Sequence, residues 1–543
     1  MTVLYEALPN APIPEKPHVG LIGLESTVSN KKVWLSAMSS QTKANTELKR
    51  PSFPTIAFRR LAFGARTGDL GAFRALADKE PACLQNYVEL QLHPERIDDQ
   101  DCKQLLAQHP HWNMYRQSAW QLWQEHASQT ADWAKHMEPL EATEQLTLLR
   151  AIHSNRQLLE KTVTFWRQHF HIYGRAYGVA PLIPDYDLMV LRTHTFGNFR
   201  NMLQALATSP AVLNSFENDQ NRVRNIQEHW ARTLLSKFTL GERNDFGTIS
   251  PNQVPTDIGG RPIGYTNEDV RAVARCFTGW TSRDGRFLYR HDRHDAGGKW
   301  IMDLYLPPGQ GHRKDGEMLL DWLAVHPATA HHVCQKLCHY FLGKTSKKFV
   351  SSAAEVFLKH QDSPDQIRQV IRHIIYTKQF ITTWGTCETT YFSQAISFIR
   401  ALNFNLSFHP EDKNTRTFLL YFRLAEQGLF GGHLVGYIPP DTIQPLIRWL
   451  LAECNESGFA ELLQQNPAGT RTAEEIVRYW SHRILGLSLP AEILHTLAQT
   501  LAQNNTTHTP LSRDPLTWQG RQTLWQLRLV LACITQHPSF YQN

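Results

Sequence analysis

The densest set of chemistry-bearing side chains in this sequence is His291-Asp292-Arg293-His294-Asp295. Two imidazoles and two carboxylates within five residues are ligand types that suit zinc, manganese or iron. His291, His294 and Asp295 are therefore the candidate metal ligands, and a distant histidine, His312 or His194, would complete the set. In a strand, residues 291 and 295 face one way while 292 and 294 face the other, so all four converge only through a tight turn. The competing reading is a solvated loop held by Asp–Arg and His–backbone contacts. No cofactor is expected beyond such a divalent metal.

A second set lies on helical sequence. Glu160 and the run Trp166-Arg167-Gln168-His169-Phe170-His171 share one helix, and residues 162, 165, 166 and 169 approximate one face. His169 then sits beside Phe165 and Trp166, either as a hydrogen-bonded core residue or as a general base. The catalytic candidates are Glu160, His169, Arg192, His194, Glu228 and Arg232, the histidine handling protons and the arginines binding an anionic group. Buried polar groups cost several kcal/mol unless paired, so they are expected to meet in networks. Convergence in one solvent-reached pocket would favour catalysis, and separate paired clusters a structural role. In His331-His332-Val333-Cys334-Gln335-Lys336-Leu337-Cys338-His339 the thiols lie at i and i+4, but without a fourth ligand they read as packed core cysteines. Nucleophile elbows, P-loops and HExxH are missing. Gly428-Leu429-Phe430-Gly431-Gly432 follows no convincing strand.

The elements that must position these groups are helices. Val270, Val273, Ala274 and Phe277 follow Thr266, with Asp269 as capping-box partner. Ile367, Val370, Ile371 and Ile374 follow Ser363-Pro364 at i, i+3, i+4, i+7. Ser209-Pro210 and His326-Pro327 open two more helices. Further helical stretches run over residues 145–171, 199–207, 227–238, 473–485 and 524–534. The class is mainly α: one large multi-helix domain over residues 51–541, after an irregular arm at 1–50. A small β-hairpin excursion is expected at 284–308, pairing residues 286–291 with 299–306. Residues 241–264 hold five glycines and three prolines and read as a long functional or mobile loop insertion. Its apolar residues Phe246, Ile249, Val254, Ile258 and Ile263 would anchor it against a partner.

The 543 residues are 42% hydrophobic and 10% aromatic, too apolar for a disordered chain. No run approaches the roughly 18 apolar residues of a membrane span. The net charge of +6 is spread along the chain with no basic stripe, which argues against nucleic-acid binding. The eight cysteines form no CxxC pair and read as reduced. The first thirty residues offer neither a basic start nor a 7–15 residue apolar core, so a cytoplasmic location is expected.

Several segments together resemble the bacterial domain-of-unknown-function 1800 family. They are Phe58-Arg59-Arg60-Leu61-Ala62-Phe63-Gly64, Gln91-Leu92-His93-Pro94-Glu95-Arg96-Ile97-Asp98-Asp99, Phe165-Trp166-Arg167-Gln168-His169-Phe170 and Asn198-Phe199-Arg200-Asn201-Met202-Leu203. Leu206-Ala207-Thr208-Ser209-Pro210-Ala211, Phe238-Thr239-Leu240-Gly241 and Tyr265-Thr266-Asn267-Glu268-Asp269-Val270 follow in the family's order. So do Phe277-Thr278-Gly279-Trp280-Thr281, His294-Asp295 with Lys299, His326-Pro327-Ala328-Thr329-Ala330 and the tail Pro538-Ser539-Phe540-Tyr541-Gln542.

The resemblance covers roughly residues 56–541 and implies a mainly helical fold with no assigned activity. It also implies an exported or periplasmic alternative to the cytoplasm, and a sulfatase-like exported protein as partner. The chain departs from the family in lacking an export signal, in the 241–264 insertion, and in one acid. The family's N-E-N-x-A-R-E run stands here as Gln227-Glu228-His229-Trp230-Ala231-Arg232-Thr233, with Thr233 in place of the second acid. A threonine cannot ionise to share acid and base roles. The expected function is therefore an assembly or accessory protein working with a partner; the alternative is a hydrolase-like or metal-assisted acid/base enzyme acting on an anionic substrate.

Overall fold

A computed structural model describes residues 50–542 apart from 128–130, 258, 312, 387–388, 405, 427–439, 454–461, 463–471, 504–505, 513 and 515–516. The expected arm at 1–50 (all but Arg50), the Gly428–Gly432 run and His312 lie outside the described residues. Among the described residues the fold is mainly α, with two small antiparallel two-stranded sheets.

Local chemistry accounts for the helix boundaries. Thr266 and Asp269 form the expected reciprocal cap on Asn267–Cys276, Asp269 accepting from the Thr266 amide at 2.7 Å. Thr472 and Glu475 do the same for Ala473–Leu485. His326 caps Pro327–Leu342 by accepting from the Ala328 amide at 3.1 Å. Asn198 caps Phe199–Thr208, accepting from the Arg200 amide at 3.0 Å. Three expectations need correction. The stretch over 145–171 is two helices, Trp133–His153 and Gln157–His169. Asp99 draws the chain out between them, accepting from Ser154 Oγ at 2.9 Å and the Asn155 amide at 2.6 Å. Ser363-Pro364 belongs to a turn, and the helix starts later, at Gln366–Ile375. The stretch over 227–238 begins as α at His229–Thr233 and continues as a π-helix, Leu234–Phe238.

The β excursion is also built differently from the single hairpin expected. β1 (Trp280–Arg283) pairs with β2 (Arg286–Tyr289), and β3 (Lys299–Ile301) with β4 (Leu304–Leu306). The two runs expected to pair belong to separate hairpins. Asp284 and Gly285, both at positive φ, make the two-residue turn that closes β1 onto β2. Met302, also at positive φ, turns β3 into β4.

The apolar interior falls into two clusters. One joins Val270, Val273, Phe277, Val333, Leu337, Ile367, Ile371 and Ile374, as the periodicities require. The other gathers the helix Tyr391–Leu402 and the C-terminal helices with Leu146–Ile152. Buried arginines clamp helix ends between them: Arg60 donates to the carbonyls of Phe380 at 2.7 Å and Leu342 at 3.1 Å, and Arg59 to Ile484 at 2.8 Å and to Ser539. Both come from the Phe58–Gly64 run. Cys83, Cys102, Cys276, Cys334 and Cys338 are free and buried. The 241–264 loop is tied to its own domain by the backbone, Phe246 donating to Tyr265 and Tyr265 to Asn244, each at 2.8 Å. Among the described residues, no helix is long and apolar enough to cross a membrane.

Candidate functional site

The helix Gln157–His169 carries two polar stripes on different sides. Glu160 and Arg167 turn toward a π-helix, Tyr186–Arg192. Lys161, Phe165 and His169, at i, i+4, i+8, turn toward Pro327–Leu342, where Tyr340 meets Phe165 and Lys336 meets His169. Between the stripes Trp166 is fully buried, its indole donating to the Thr195 carbonyl at 3.0 Å.

On the first side Arg192 grips Glu160 with both terminal nitrogens, at 3.0 and 2.8 Å, and donates from Nε to Asp187 at 2.8 Å. Asp187, fully enclosed, also accepts from Arg167 at 2.9 Å and from the Tyr115 hydroxyl at 2.6 Å. Arg150 donates to that hydroxyl at 3.2 Å. Burial by itself would raise the Asp187 carboxyl, but Arg192, Arg167 and Arg150 hold it well below the usual carboxylate range. Burial likewise works against the Arg192 charge, and Glu160 with Asp187 more than restores it. This is a closed ionic frame in which each carboxylate is matched.

On the second side His169 is buried and neutral. Lys336 Nζ donates to its Nδ1 at 3.2 Å, so the Nε2–H donates to the Phe238 carbonyl at 3.1 Å. Lys336 and His332 Nε2 both donate to the Lys237 carbonyl, at 3.1 and 2.9 Å. The two carbonyls stand free at the end of the π-helix because the chain leaves it through Thr239–Gly241. Thr239 Oγ1 donates to the Leu234 carbonyl at 2.7 Å and the Gly241 amide to Leu235 at 2.9 Å, closing the helix. Gly241 has φ +91°, and a Cβ there would stand 2.7 Å from His332 Nδ1. Burial, then the charge of Lys336, pushes His169 well below its ordinary value and His332 down to about 4. Burial and the Lys237 charge lower Lys336 to about 8. An amine that loses its proton near neutrality beside a neutral imidazole has the composition of an acid–base pair.

The third cluster surrounds His294. Its Nδ1 faces the Thr278 carbonyl at 2.9 Å and its Nε2 faces Asp315 at 3.2 Å. Lys299, also buried, donates to Asp315 at 2.5 Å and to the carbonyls of Asp295 and Gly297 at 2.6 and 2.8 Å. Burial opposes the Asp315 charge, while the bonds from His294 and Lys299 hold its carboxyl below the ordinary value. Asp295 is paired with Arg275 through both oxygens, at 2.8 and 3.0 Å, and that pairing lowers it. His291 is exposed on a short 3-10 turn. The three candidate ligands thus point to different partners, and among the described residues no three His, Cys, Asp or Glu side chains are grouped to hold a metal.

Glu228 and Arg232 pair with each other at 3.4 Å on a half-exposed surface, Arg232 also donating to Asn267 at 3.1 Å. Thr233, the replaced acid, is half-buried on the same helix. His194 is half-buried and lowered by burial. Of the sequence candidates two pairs touch, Glu160 with Arg192 and Glu228 with Arg232. Asp187, Arg167, Lys336 and Asp315 were missed as site residues. An acid inside the apolar run Leu182-Ile183-Pro184-Asp185-Tyr186-Asp187-Leu188 was the signal for Asp187, and the His332/Lys336 spacing of i, i+4 was the signal for Lys336.

The segments meeting around Trp166 are the motif runs themselves: Phe170 stacks on Trp166 at 5.4 Å, Phe238 meets Phe170 at 5.2 Å edge-on, and Phe199 lies 6.1 Å from Trp166. No curated protein and no solved structure matches the chain. A family model described as a protein of unknown function (DUF1800) matches residues 56–542, nearly the whole chain, and this protein belongs to that family.

Proposed function

We propose that this protein is an assembly or accessory protein that works with a protein partner, its polar clusters serving as the frame. The observation that carries the reading is separation. Glu160 and Arg192 close on Asp187 and Arg167; His169 closes on Lys336 and Phe238; His294 closes on Asp315 and Thr278. Among the described residues, the first and third sets match their charges internally, as a buttress does, and each set bonds to its own members and nearby backbone.

The test is purification of the full chain from its native source, followed by size-exclusion chromatography and quantitative mass spectrometry. A single partner at fixed stoichiometry is expected, and no stoichiometric partner would overturn the reading. Replacing residues 243–262 with a short Gly-Ser bridge then tests the 241–264 loop: loss of the partner assigns it the contact, and retention removes it from the contact.

One observation favours acid–base chemistry as a second reading: Lys336, lowered to about 8, donates to the neutral His169. A panel of phosphate, sulfate and acyl esters tests it. Turnover abolished in both Lys336→Met and His169→Gln supports it, and no turnover of any ester sinks it.

A further inference from the structure

A cleft of about 670 Å3 opens between the helices Phe199–Thr208 and Lys314–Val325 and strand β2. That volume falls within the roughly 300–1,000 Å3 of small-molecule sites. Its walls mix polar and apolar surface, and their charges are balanced. Arg200 Nε meets Asp321 at 2.5 Å, and Arg313 Nε meets Glu317 at 3.2 Å. Arg200 also donates to Gln204 Oε1 at 3.0 Å and to the Glu317 carbonyl at 3.2 Å, so one wall is rigid before any ligand arrives.

Several groups remain open to a ligand. Among the described residues, the Asn201 carboxamide and Gln204 Nε2 have no hydrogen-bond partner, and Asp321 Oδ2, Glu317 Oε2 and the terminal nitrogens of Arg313 are unspent. The one aromatic surface is Phe287, with the Arg313 guanidinium 5.7 Å from its ring centre.

This composition selects a ligand class. An anion needs surplus positive charge, but each guanidinium here already has its carboxylate, and a phosphate would have to displace one. A cation meets the reverse obstacle. A hydrocarbon finds a single ring. Hydroxyl groups both donate and accept, so a neutral polyol satisfies carboxylates, amides and guanidinium together without breaking either ion pair. We propose that this cleft binds a neutral saccharide. The site is distinct from the three polar clusters, and the proposal does not depend on the partner reading.

Calorimetry and saturation-transfer NMR on the full chain test it, with maltose, cellobiose, N,N′-diacetylchitobiose and, as the anion probe, inorganic phosphate. At least one disaccharide is expected to bind with Kd on the order of 1 mM or tighter. Asn201→Trp, at an exposed helix position, fills the cleft and should abolish that binding with the melting temperature kept. Arg313→Ala, also exposed, should weaken it about fivefold or more and keeps the test open if the tryptophan variant does not fold. Failure of all three disaccharides, tighter binding of phosphate, or sugar binding unchanged in a folded variant would each overturn the proposal.

Discussion

Arg192 holds Glu160 through two parallel hydrogen bonds of 3.0 and 2.8 Å while its third nitrogen holds Asp187 at 2.8 Å. One guanidinium thus ties the helix Gln157–His169 to the π-helix Tyr186–Arg192. Bidentate geometry of this kind is specific to arginine.

Asp187→Asn should therefore cost about 3–5 kcal/mol at neutral pH, because it leaves Arg167 and Arg192 short of charge in a buried site. The Asp187 carboxyl is held below its unfolded value of about 3.9. Its contribution is full above that pH and is lost as pH falls toward the folded value. Urea unfolding of wild type and variant should show a constant gap from about pH 7 to 5 and a narrowing one below about pH 4. A gap unchanged down to about pH 2 would remove Asp187 from the acid dependence.

Gly241→Ala combines a left-handed backbone with a Cβ aimed at His332. A loss of about 1–3 kcal/mol is expected. Thermal unfolding measures it, and a melting temperature within error of wild type would show that the turn adapts.

Lys336 should be identifiable by titration. Its folded value, about 8, lies below the unfolded value of about 10.4. The protonated amine therefore costs stability below about pH 8, and that cost is relieved as pH rises from about 8 to 10.4. Carbon-13 NMR of reductively methylated protein should show an early-titrating signal that is absent in Lys336→Met. Relative to that variant, wild type should gain stability across the same window. All lysines titrating together above pH 10 would refute the assignment.

His294 has both ring nitrogens committed, to Thr278 and Asp315, and Asp295 is committed to Arg275. Zinc would have to break these bonds, so less than about a tenth of an equivalent is expected in untagged protein. Stoichiometric metal that disappears in His291→Ala would reinstate His291, His294 and Asp295 as ligands.

The helix Asn267–Cys276 was legible because a cap, Thr266, and a 3.6-residue apolar repeat from Val270 coincide there. The break after His153 was not, because the residue that makes it, Asp99, lies more than fifty positions away in sequence. The two hairpins are not legible from β-propensity alone, because the β-prone runs flank the longer gap at 292–298 while the turn that closes β1 onto β2 is the two-residue Asp284-Gly285. At the sites, residue type was readable and partnership was not. Glu160 and Arg192 stood out as charges in apolar helices, yet Asp187, which joins Arg192 to Arg167, is one of two acids in its stretch, and nothing local tells it from Asp185. His169 was readable as a core histidine, but its donor Lys336 belongs to a helix that only the tertiary fold brings alongside.

The π-helices at Tyr186–Arg192 and Leu234–Phe238 amount to one surplus residue in each winding. The surplus residue is what lets the flanking chain stay in place around a wide turn, so removing it would close either segment as an α-helix and shift the groups inside the turn. In Leu234–Phe238 those groups include the Lys237 and Phe238 carbonyls that receive Lys336, His332 and His169. The wiring of that cluster is thus written in chain length as well as in residue identity.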